Sequence, residues 1–410
     1  MRLREDCDLI VARAIEAVQP DAAVRRALDG KTFAPGRVIL VAIGKAAWSM
    51  ANAAKKALGD RISDGLVITK YGHGRGDIPG LDLFEAGHPV PDENSFRATE
   101  AALAKTAGLS AEDTVLLLLS GGGSALFEAP LVSAEQSANL TAQLLACGAN
   151  IVEMNTIRKR FSKVKGGRFA MHCLPAHVFS IVLSDIIGDP LDMIASGPAY
   201  PDSSTVDSAM RIAEKYHVPL TEEMRALLRV ETPKTLTNVE TVITGSVREL
   251  CLAASHAASS LGYEPLILTD SLDCVAREAG AFFASLARYR QRTERSLALI
   301  AGGETVVRVQ GNGLGGRNQE LALAAAQGLR GLADTALFSV GSDGTDGPTD
   351  AAGGYVDGDT AEALEARGVD AYAALENNDA YHALQTVGGL LVTGPTGTNV
   401  NDVTVLLIRR

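Results

Sequence analysis

A run of leucines passes directly into three glycines at Leu116-Leu117-Leu118-Leu119-Ser120-Gly121-Gly122-Gly123-Ser124-Ala125-Leu126. The apolar run has the length of a buried strand, and the small and apolar residues after the glycines suit the start of a helix. The pattern therefore predicts a strand, a loop without side chains and then a helix. Adjacent glycines allow positive φ angles and let backbone N–H groups converge on a ligand such as phosphate. A glycine-rich turn that binds nothing is the alternative interpretation.

The composition favours a globular protein of two domains. With 410 residues, 46% hydrophobic and 21% charged, the chain can bury large cores and is too long for one compact domain. The formal net charge of −11 argues against a general nucleic-acid-binding protein, although small anionic substrates are compatible with it. The five cysteines show no CxxC spacing, so we expect reduced thiols and no zinc site. No apolar segment is long enough to span a bilayer, and we expect a cytoplasmic protein.

A second strand-to-helix junction carries Lys45. The apolar strand at residues 37–43 ends in Gly44-Lys45, and a helix is predicted to follow. Open α/β sheets bind ligands at the carboxyl ends of their strands, so Lys45 is a candidate anion ligand. The segment is not a Walker A motif, because Ile39 stands where the first glycine is required and Ala46 stands where Ser or Thr is required. A solvated lysine in a turn is the alternative.

A single histidine lies in the turn Gly87-His88-Pro89-Val90-Pro91-Asp92, which follows a short predicted strand. The prolines make this turn rigid. Because no second histidine stands at metal-ligand spacing, a structural hydrogen bond is favoured for His88 over a catalytic or metal-binding role.

Residues 155–168 carry six cations and no acid, which is unusual in an acidic protein. Arg158 and Lys165 belong to this basic run. Nucleic-acid binding would need further basic or aromatic segments, and none follows, so the run predicts a pocket for a small anion or a nucleotide. A solvated helix face is the alternative.

Three carboxylates, those of Asp185, Asp189 and Asp192, follow the apolar strand at residues 179–183. Such carboxylates can hold Mg²⁺ through one or two oxygens and water, although a turn or a helix N-cap explains each aspartate equally well. Acids, a glycine loop and a basic run together indicate phosphoryl transfer. That reaction needs positioning, a metal and cations more than a special nucleophile.

The chain is predicted to pass from one α/β domain into another. Polar residues at 200–205 and 233–238 mark the passage, and strands alternate with helices again afterwards. We therefore predict a Rossmann-like, doubly wound first domain at residues 1–236 and a second α/β domain at residues 237–410.

A GxGxxG pattern formed by Gly311, Gly313 and Gly316 lies in the second predicted domain. The acid expected about twenty residues later in a dinucleotide site is Asp334, but it precedes the next strand instead of following it. We therefore favour a polar cleft in which Arg317 binds phosphate or carboxylate.

Several of these motifs, in this order, resemble the type II glycerate 2-kinase family, whose C-terminal half is called the MOFRL domain. The matching blocks cover nearly the whole chain: Gly44-Lys45-Ala46-Ala47, residues 87–92, 120–125 and 165–167, Ser184-Asp185 with Gly188-Asp189, and residues 315–320, 342–347 and 398–402. The resemblance implies phosphorylation of D-glycerate, usually to 2-phosphoglycerate, with ATP and Mg²⁺ in a cleft between two α/β domains. It also implies that Lys45 and Arg317 match the family's proposed catalytic pair.

The resemblance and the motifs together give a set of expected ligands. For the nucleotide and its phosphates these are Ser120, Gly121, Gly122, Gly123, Ser124, Lys165, Ser184 and Gly197. For the substrate they are Arg158, Arg317, Asn318, Glu320 and Asp343, and for the metal they are Asp185 and Asp189. The expected partners are the small molecules D-glycerate and ATP, with no nucleic acid and no membrane, and the chain is expected to be a monomer or a homodimer.

Two other functions stay open at this point. Members of the family have also been labelled hydroxypyruvate reductases, so an NAD(P)H-dependent hydroxypyruvate reductase is the alternative enzyme. A nucleotide-binding regulator without catalytic activity is the third interpretation. ADP formation that depends on glycerate would separate the kinase from both.

Overall fold

The computed structural model describes residues 2–184, 186–188 and 190–410. The helices are α1 (Arg2–Ala17), α2 (Pro20–Leu28), α3 (Ala47–Leu58), α4 (Glu93–Lys105), α5 (Gly123–Leu126), α6 (Ala134–Ala146), α7 (Ile151–Arg158), α8 (Arg168–His172), α9 (Val206–Lys215), α10 (Glu222–Leu228), α11 (Val247–Ser260), α12 (Ala276–Arg290), α13 (Arg317–Leu329), α14 (Thr360–Ala366), α15 (Ala371–Glu376) and α16 (Ala380–Thr386). The strands are β1 (Val38–Ile43), β2 (Ile62–Lys70), β3 (Asp82–Ala86), β4 (Thr114–Leu119), β5 (His177–Leu183), β6 (Val239–Gly245), β7 (Glu264–Leu272), β8 (Leu297–Gly303), β9 (Thr335–Gly341), β10 (Gly353–Asp357), β11 (Leu390–Leu391) and β12 (Asp402–Ile408). Within the described ranges, no helix combines the length and the apolar character needed to cross a membrane.

The first sheet has the strand order β3-β2-β1-β4-β5-β6. β1 runs parallel to β2 and β4, and the pairs β2–β3 and β4–β5 are parallel as well. This is the order of a doubly wound Rossmann sheet, in which the direction of growth reverses between β1 and β4. Every residue of β1 and β4 is buried, as expected for central strands of a parallel sheet. The predicted Rossmann-like fold is confirmed, and the turns after β1 and β4 are neighbours at its switch point.

The sixth strand of this sheet comes from a part of the sequence that we had assigned to the second domain. Val178 N donates to Asn238 O and Ser184 N donates to Gly245 O, both at 2.7 Å, so β5 and β6 run in parallel. The polar segments on either side of α9 and α10 suggested a passage between domains. They instead belong to a long connection between two strands of one sheet. The local composition of such a connection is the same as that of a linker between domains.

The second sheet is mixed and has the order β11-β10-β9-β12-β8-β7. β7 and β8 are parallel, whereas β12 runs antiparallel to both of its neighbours, β8 and β9. Asp402, the first residue of β12, pairs with Gly303 and Gly341, the last residues of β8 and β9. The antiparallel strand thus brings an aspartate to the edge where β8 and β9 end. Helices α12 and α13 pack together and bury a core that includes Phe283 and Leu323.

The chain forms two compact units, neither of which is continuous in sequence. The first-sheet unit consists of Ala23–Leu183 and Asp189–Thr244, and the second-sheet unit consists of Met1–Ala22, Ser184–Gly188 and Gly245–Arg410. Helix α1 packs on α11, and Arg4 donates to Gly388 O at 3.0 Å and to Leu390 O at 2.9 Å. These units differ from the predicted ranges 1–236 and 237–410, because the N-terminal helix buries its apolar face against the C-terminal part of the chain.

Candidate active site

The glycine loop (residues 120–124), which follows β4, packs against the turn that follows β1. Gly44 in that turn has a φ of 121°, and a Cβ atom on it would lie 2.2 Å from Ser120 Oγ. Lys45 N donates to Gly121 O at 2.9 Å and joins the two turns. Glycine is required at position 44 both by its backbone angle and by the lack of space.

The N–H groups of the glycine loop are available as donors as far as the described residues show. Among the residues that the structure describes, the N–H groups of Gly121, Gly122, Gly123 and Ser124 donate to no other group. Gly122 adopts a left-handed conformation with a φ of 87°. A left-handed residue within a turn directs successive N–H groups toward one side and forms a concavity that binds anions. The loop therefore has the hydrogen-bond donors that a phosphate group needs.

Lys45 and His88 lie beside the middle of this loop. A Cβ atom on Gly122 would lie 3.4 Å from Lys45 Cγ and 3.0 Å from His88 Cδ2. Lys45 is half-buried, and its ammonium group has no hydrogen-bond or ion-pair partner in the described part of the chain. His73 Nδ1 lies 3.1 Å from Lys45 O and supports the backbone of the turn. The charged Lys45 side chain and the loop N–H groups, none of them paired with a described residue, together create a positive potential suited to phosphate.

Lys165 holds the segment that follows the glycine loop. Its ammonium group donates to Ser124 O at 2.8 Å, to Phe127 O at 3.4 Å and to the carboxylate of Glu128. These contacts use all three of its N–H donors. Burial lowers the pKa of Lys165 to about 8, although the charge of Glu128 opposes this shift. The contacts support a role in positioning the loop, and direct contact with a nucleotide stays a prediction.

Most cations of the basic run at residues 155–168 contact protein groups, whereas the run was expected to form a pocket for an anion. Five of its six cations bind protein groups. Four of them form ion pairs: Lys159 with Asp202 at 3.0 Å, Arg160 with Glu231 at 3.0 Å, Lys163 with Glu100 at 2.7 Å, and Lys165 with Glu128. The fifth, Arg168, donates to the carbonyl groups of Lys159, Arg160 and Ser162. Acids from other parts of the sequence neutralise four of them. Arg158 is half-buried, has no partner within the described ranges, and remains the candidate anion ligand of this run.

Gly197 belongs to three consecutive residues with left-handed backbone angles. The φ values are 50° for Ala195, 61° for Ser196 and 65° for Gly197, and such angles are strained for alanine and serine. Ser196 Oγ lies 2.9 Å from Ser124 Oγ, and Gly197 O accepts a hydrogen bond from Gly167 N at 2.7 Å. This strained turn thus contacts the end of the glycine loop and holds it in place through a hydrogen bond.

The predicted metal ligands Asp185 and Asp189 lie outside the described residues. Ser184, which precedes them, is buried directly after β5, and its hydroxyl group accepts a hydrogen bond from Ile186 N at 3.3 Å. Across the described ranges, no group of three or more His, Cys, Asp or Glu side chains is arranged to hold a metal ion. The assignment of Asp185 and Asp189 to a metal therefore stays a prediction.

Arg317, the first residue of α13, lies between two carboxylates of the second-sheet unit. Its Nε and Nη2 donate to the two oxygens of Asp402 at 2.5 and 3.0 Å, and its Nη1 lies 3.2 Å from Glu304. Burial lowers the pKa of Arg317, but the hydrogen bonds and charge of Asp402 outweigh burial and raise this pKa above its ordinary value. The guanidinium group is therefore charged and oriented. Its side chain is 34% exposed, so a ligand that displaces Glu304 can reach Nη1.

Asp346 caps α13 from a distant loop. Its carboxylate accepts hydrogen bonds from Asn318 N at 3.2 Å and from Gln319 N at 2.9 Å, and a Cβ atom on Gly316 would lie 2.2 Å from its Cγ. Burial raises the pKa of Asp346 to about 6, although the two backbone hydrogen bonds oppose this shift. A carboxylate thus occupies the helix N-terminus where a GxGxxG motif would receive a pyrophosphate. This geometry agrees with our preference against a dinucleotide site.

The remaining predicted substrate ligands differ in their accessibility. Asn318 and Glu320 are buried, and protein groups satisfy them: Asn318 Oδ1 accepts from Ser339 Oγ at 2.5 Å, and Glu320 pairs with Arg277 at 3.1 Å. Asp343 is half-buried and accepts a hydrogen bond at 2.9 Å from the backbone N–H two residues later. Asp343 is accessible to a ligand, whereas Asn318 and Glu320 contribute to the packing of α13. Substrate contact by these three residues stays a prediction.

The different partners of Lys165 and Lys163 give a test of stability. Lys165→Met is expected to lower the free energy of unfolding by about 3–5 kcal/mol, because it leaves the carboxylate of Glu128 buried without its partner. Lys163→Met removes the same charge from the same run, but Lys163 and Glu100 have side chains that are 44% and 53% exposed. Its effect is expected to stay below about 1 kcal/mol. Urea denaturation of both variants measures the difference, and equal losses would contradict the structural role of Lys165.

Two family models match the chain. One is described as "Domain of unknown function (DUF4147)" and matches residues 6–229, and the MOFRL family model matches residues 297–402. A Thermotoga maritima protein named D-glycerate 2-kinase is 54% identical over an alignment of 405 positions that covers 97% of this chain and 97% of that protein. The chain belongs to the glycerate kinase family. Its C-terminal part is the family's MOFRL domain.

Solved structures and further relatives agree with this membership of the glycerate kinase family. The crystal structure of a glycerate kinase from Thermotoga maritima superimposes with a TM-score of 0.95 at 53% sequence identity and covers 99% of both chains. An Agrobacterium vitis protein named putative hydroxypyruvate reductase is 38% identical over 96% of this chain and 92% of its own length. The two-sheet α/β fold is therefore that of a glycerate kinase family member.

The partners of Arg317 in this family member were missed by the sequence analysis. Asp402 and Asp346 fall within the blocks that carried the family resemblance, but we named neither as a functional residue. Asp402 lies 85 residues beyond Arg317. Asp346 lies 28 residues beyond Asn318 and accepts a hydrogen bond from its backbone N–H group. The available signal was an aspartate within a family block, at the start of a strand for Asp402 and in the loop after a strand for Asp346.

Proposed function

We propose that this protein transfers the γ-phosphoryl group of ATP to the 2-hydroxyl group of D-glycerate. The observation that carries the proposal is the glycine loop. Its four consecutive N–H groups, at residues 121–124, have no acceptor among the described residues and lie beside the side chain of Lys45, whose ammonium group likewise has no described partner. Such donors bind the charged oxygens of phosphate groups, and phosphoryl transfer depends mainly on positioning and charge stabilisation. Membership of the glycerate kinase family supports glycerate as the acceptor.

The proposal divides the work between the two units. The glycine loop and Lys45 bind the nucleotide phosphates and stabilise the charge that moves during transfer. Arg317 binds the glycerate carboxylate or the transferring phosphoryl group with its planar guanidinium. The interdomain cleft that the family resemblance implies is part of this proposal, as is closure around the substrates to exclude water.

The proposal includes Mg²⁺ as a cofactor. When bound, the ion would neutralise charge on the phosphate oxygens, and the nucleotide would supply most of its ligands because Mg²⁺ rarely occupies a site made of protein groups alone. Asp185 or Asp189 would complete its coordination directly or through water. Removing Mg²⁺ with a chelator is expected to abolish turnover.

An NAD(P)H-dependent hydroxypyruvate reductase is the second candidate, because a relative carries that name. Two observations argue against a dinucleotide cofactor. Asp346 fills the N-terminus of α13 at the GxGxxG motif. The glycine loop has Gly121 and Gly123 at the right spacing, but Leu126 stands where the third glycine would be required. Both observations favour the kinase.

Product NMR with racemic glycerate, ATP and Mg²⁺ tests the proposal. We expect that only the D enantiomer is consumed, that phosphate appears on its C2 oxygen, and that ADP forms in equal amount. Phosphate on the C3 oxygen would contradict the proposed transfer to the 2-hydroxyl group, although the protein would still be a glycerate kinase. Oxidation of NADPH by hydroxypyruvate, with no ADP from glycerate, would establish the reductase instead.

A further inference from the structure

His88 lies at the glycine loop, and its ring has no hydrogen-bond partner among the described residues. A Cβ atom on Gly122 would lie 3.0 Å from His88 Cδ2 and 3.1 Å from Nε2, so the edge of the ring that carries Nε2 faces the loop. The side chain is half-buried, and neither ring nitrogen hydrogen-bonds to a residue that the structure describes. Lys45 Cγ would lie 3.4 Å from the same point. The imidazole ring of His88 and the side chain of Lys45 therefore both lie beside loop N–H groups that have no described acceptor.

Three described carboxylates in this part of the first-sheet unit are already engaged in hydrogen bonds or ion pairs. Glu85 accepts hydrogen bonds from two backbone N–H groups, at 2.9 and 3.0 Å. Asp92 caps α4 and accepts a hydrogen bond from Tyr71. Glu128 is buried against Lys165. Unlike these three carboxylates, His88 has a ring nitrogen that can accept a proton and has no partner among the described residues.

The surroundings of His88 keep its imidazole neutral. Burial lowers the pKa of His88 below its ordinary value of 6.5, and the positive charges of Lys45, Lys70 and His73 lower it further. Lys45 lies in the turn after β1, Lys70 is the last residue of β2, and His73 lies in the turn after β2. The glycine loop itself carries no titratable side chain. A neutral imidazole near pH 7 is the form that accepts a proton.

We propose that His88 is the general base, and that its Nε2 accepts the proton of the glycerate hydroxyl group. This inference rests on the proposed kinase function and adds the group that removes the proton. As the hydroxyl oxygen bonds to the γ-phosphorus, the bond from that phosphorus to the bridging oxygen of ADP breaks, and ADP leaves with the electron pair. The hydroxyl proton passes to His88 and from there to solvent, which the half-exposed ring can reach.

The test compares the pH dependence of turnover in the wild type and in His88→Gln. Wild-type kcat is expected to fall as pH decreases through the pKa of His88, below 6.5, because an imidazolium group cannot accept the proton. His88→Gln is expected to lower kcat at neutral pH by about a hundredfold and to abolish this acid limb. Its dissociation constant for ADP is expected to change by less than about threefold, since the loop and Lys45 remain.

Controls separate a proton acceptor from a group that only supports the turn. His256→Gln changes an exposed histidine on α11 and is expected to leave kcat and its pH profile unchanged. His88→Asn replaces the glutamine variant if that variant fails to fold. NMR titration of the His88 ring provides a readout that needs no turnover. Its midpoint is expected to move to higher pH in Lys45→Met, because one of the charges that depress it is removed.

Three results would overturn the inference. They are an acid limb with an unchanged midpoint in His88→Gln, a kcat reduced equally at every pH, or wild-type activity that rises toward low pH. The last result would make protonated His88 a phosphate ligand. Wild-type ADP formation is measured first, so a failure of the proposed kinase function is recognised before any variant is compared.

Discussion

Replacing Arg317 with alanine is expected to lower kcat for glycerate phosphorylation by about a hundredfold or more, the scale lost when one charge-stabilising group is removed. Asp402 fixes the guanidinium group through hydrogen bonds of 2.5 and 3.0 Å, and Nη1 lies toward Glu304. A planar group held in this way can bind a carboxylate or a phosphoryl group with little reorganisation. Arg317→Lys is expected to restore only part of the rate, because lysine keeps the charge but lacks the planar guanidinium group that donates two parallel hydrogen bonds.

The loss of Arg317 also affects Asp402, and the measurements must separate stability from catalysis. Burial already raises the pKa of Asp402, and Arg317 opposes that shift, so alanine would leave a buried carboxyl group without its partner. Urea denaturation gives the folded fraction at the assay temperature. Arg292→Ala removes an exposed arginine just beyond α12 and is expected to leave kcat unchanged.

Nucleotide affinity decides between two roles for Arg317. If Arg317 acts only when both substrates are bound, Arg317→Ala is expected to change the dissociation constant for ATP much less than it changes kcat. If ATP binding in the absence of glycerate weakens as severely as turnover, Arg317 belongs to a preformed nucleotide site. The proposed closure mechanism would then be wrong.

Lys45→Ala is the second substitution with a large expected effect. We expect kcat to fall by about a hundredfold or more, because the Lys45 side chain lies beside loop N–H groups that have no described acceptor, and in the proposed function its charge would stabilise the transferring phosphoryl group. Lys45→Arg is expected to remain impaired. Its larger guanidinium group differs in shape and hydrogen-bond geometry from the ammonium group, and the Lys45 side chain lies close to Gly122.

The matched control for Lys45 lies on the helix that follows it. Lys56→Ala removes an exposed cation from α3 and is expected to leave kcat unchanged. Steady-state kinetics with saturating ATP and glycerate provide the comparison for all three variants. If kcat of Lys45→Ala stays within about threefold of the wild-type value, Lys45 does not stabilise charge in the transition state.

Local sequence determined the strands and turns that carry the glycine loop and Lys45. β1 ends at Ile43 and β4 ends at Leu119, where the apolar runs stop and the glycine and serine residues begin. A buried parallel strand requires a continuous apolar run, and a turn with positive φ requires glycine, so both are encoded within a few residues. The parallel alternation of strands and helices then implied that these turns meet at one edge of a sheet.

Tertiary structure decided which charged groups remain available for a ligand. The basic run contains six cations in sequence, but Lys159 reaches Asp202 43 residues away, and Arg317 reaches Asp402 85 residues away. The second pair forms only because β12 inserts between β8 and β9, and β6 joins the first sheet in the same non-local manner. Hydrophobic patterning specifies which face of a strand is buried but not which strand becomes its neighbour. The partners of buried charges depend on that choice of neighbour, so only the folded chain determines them.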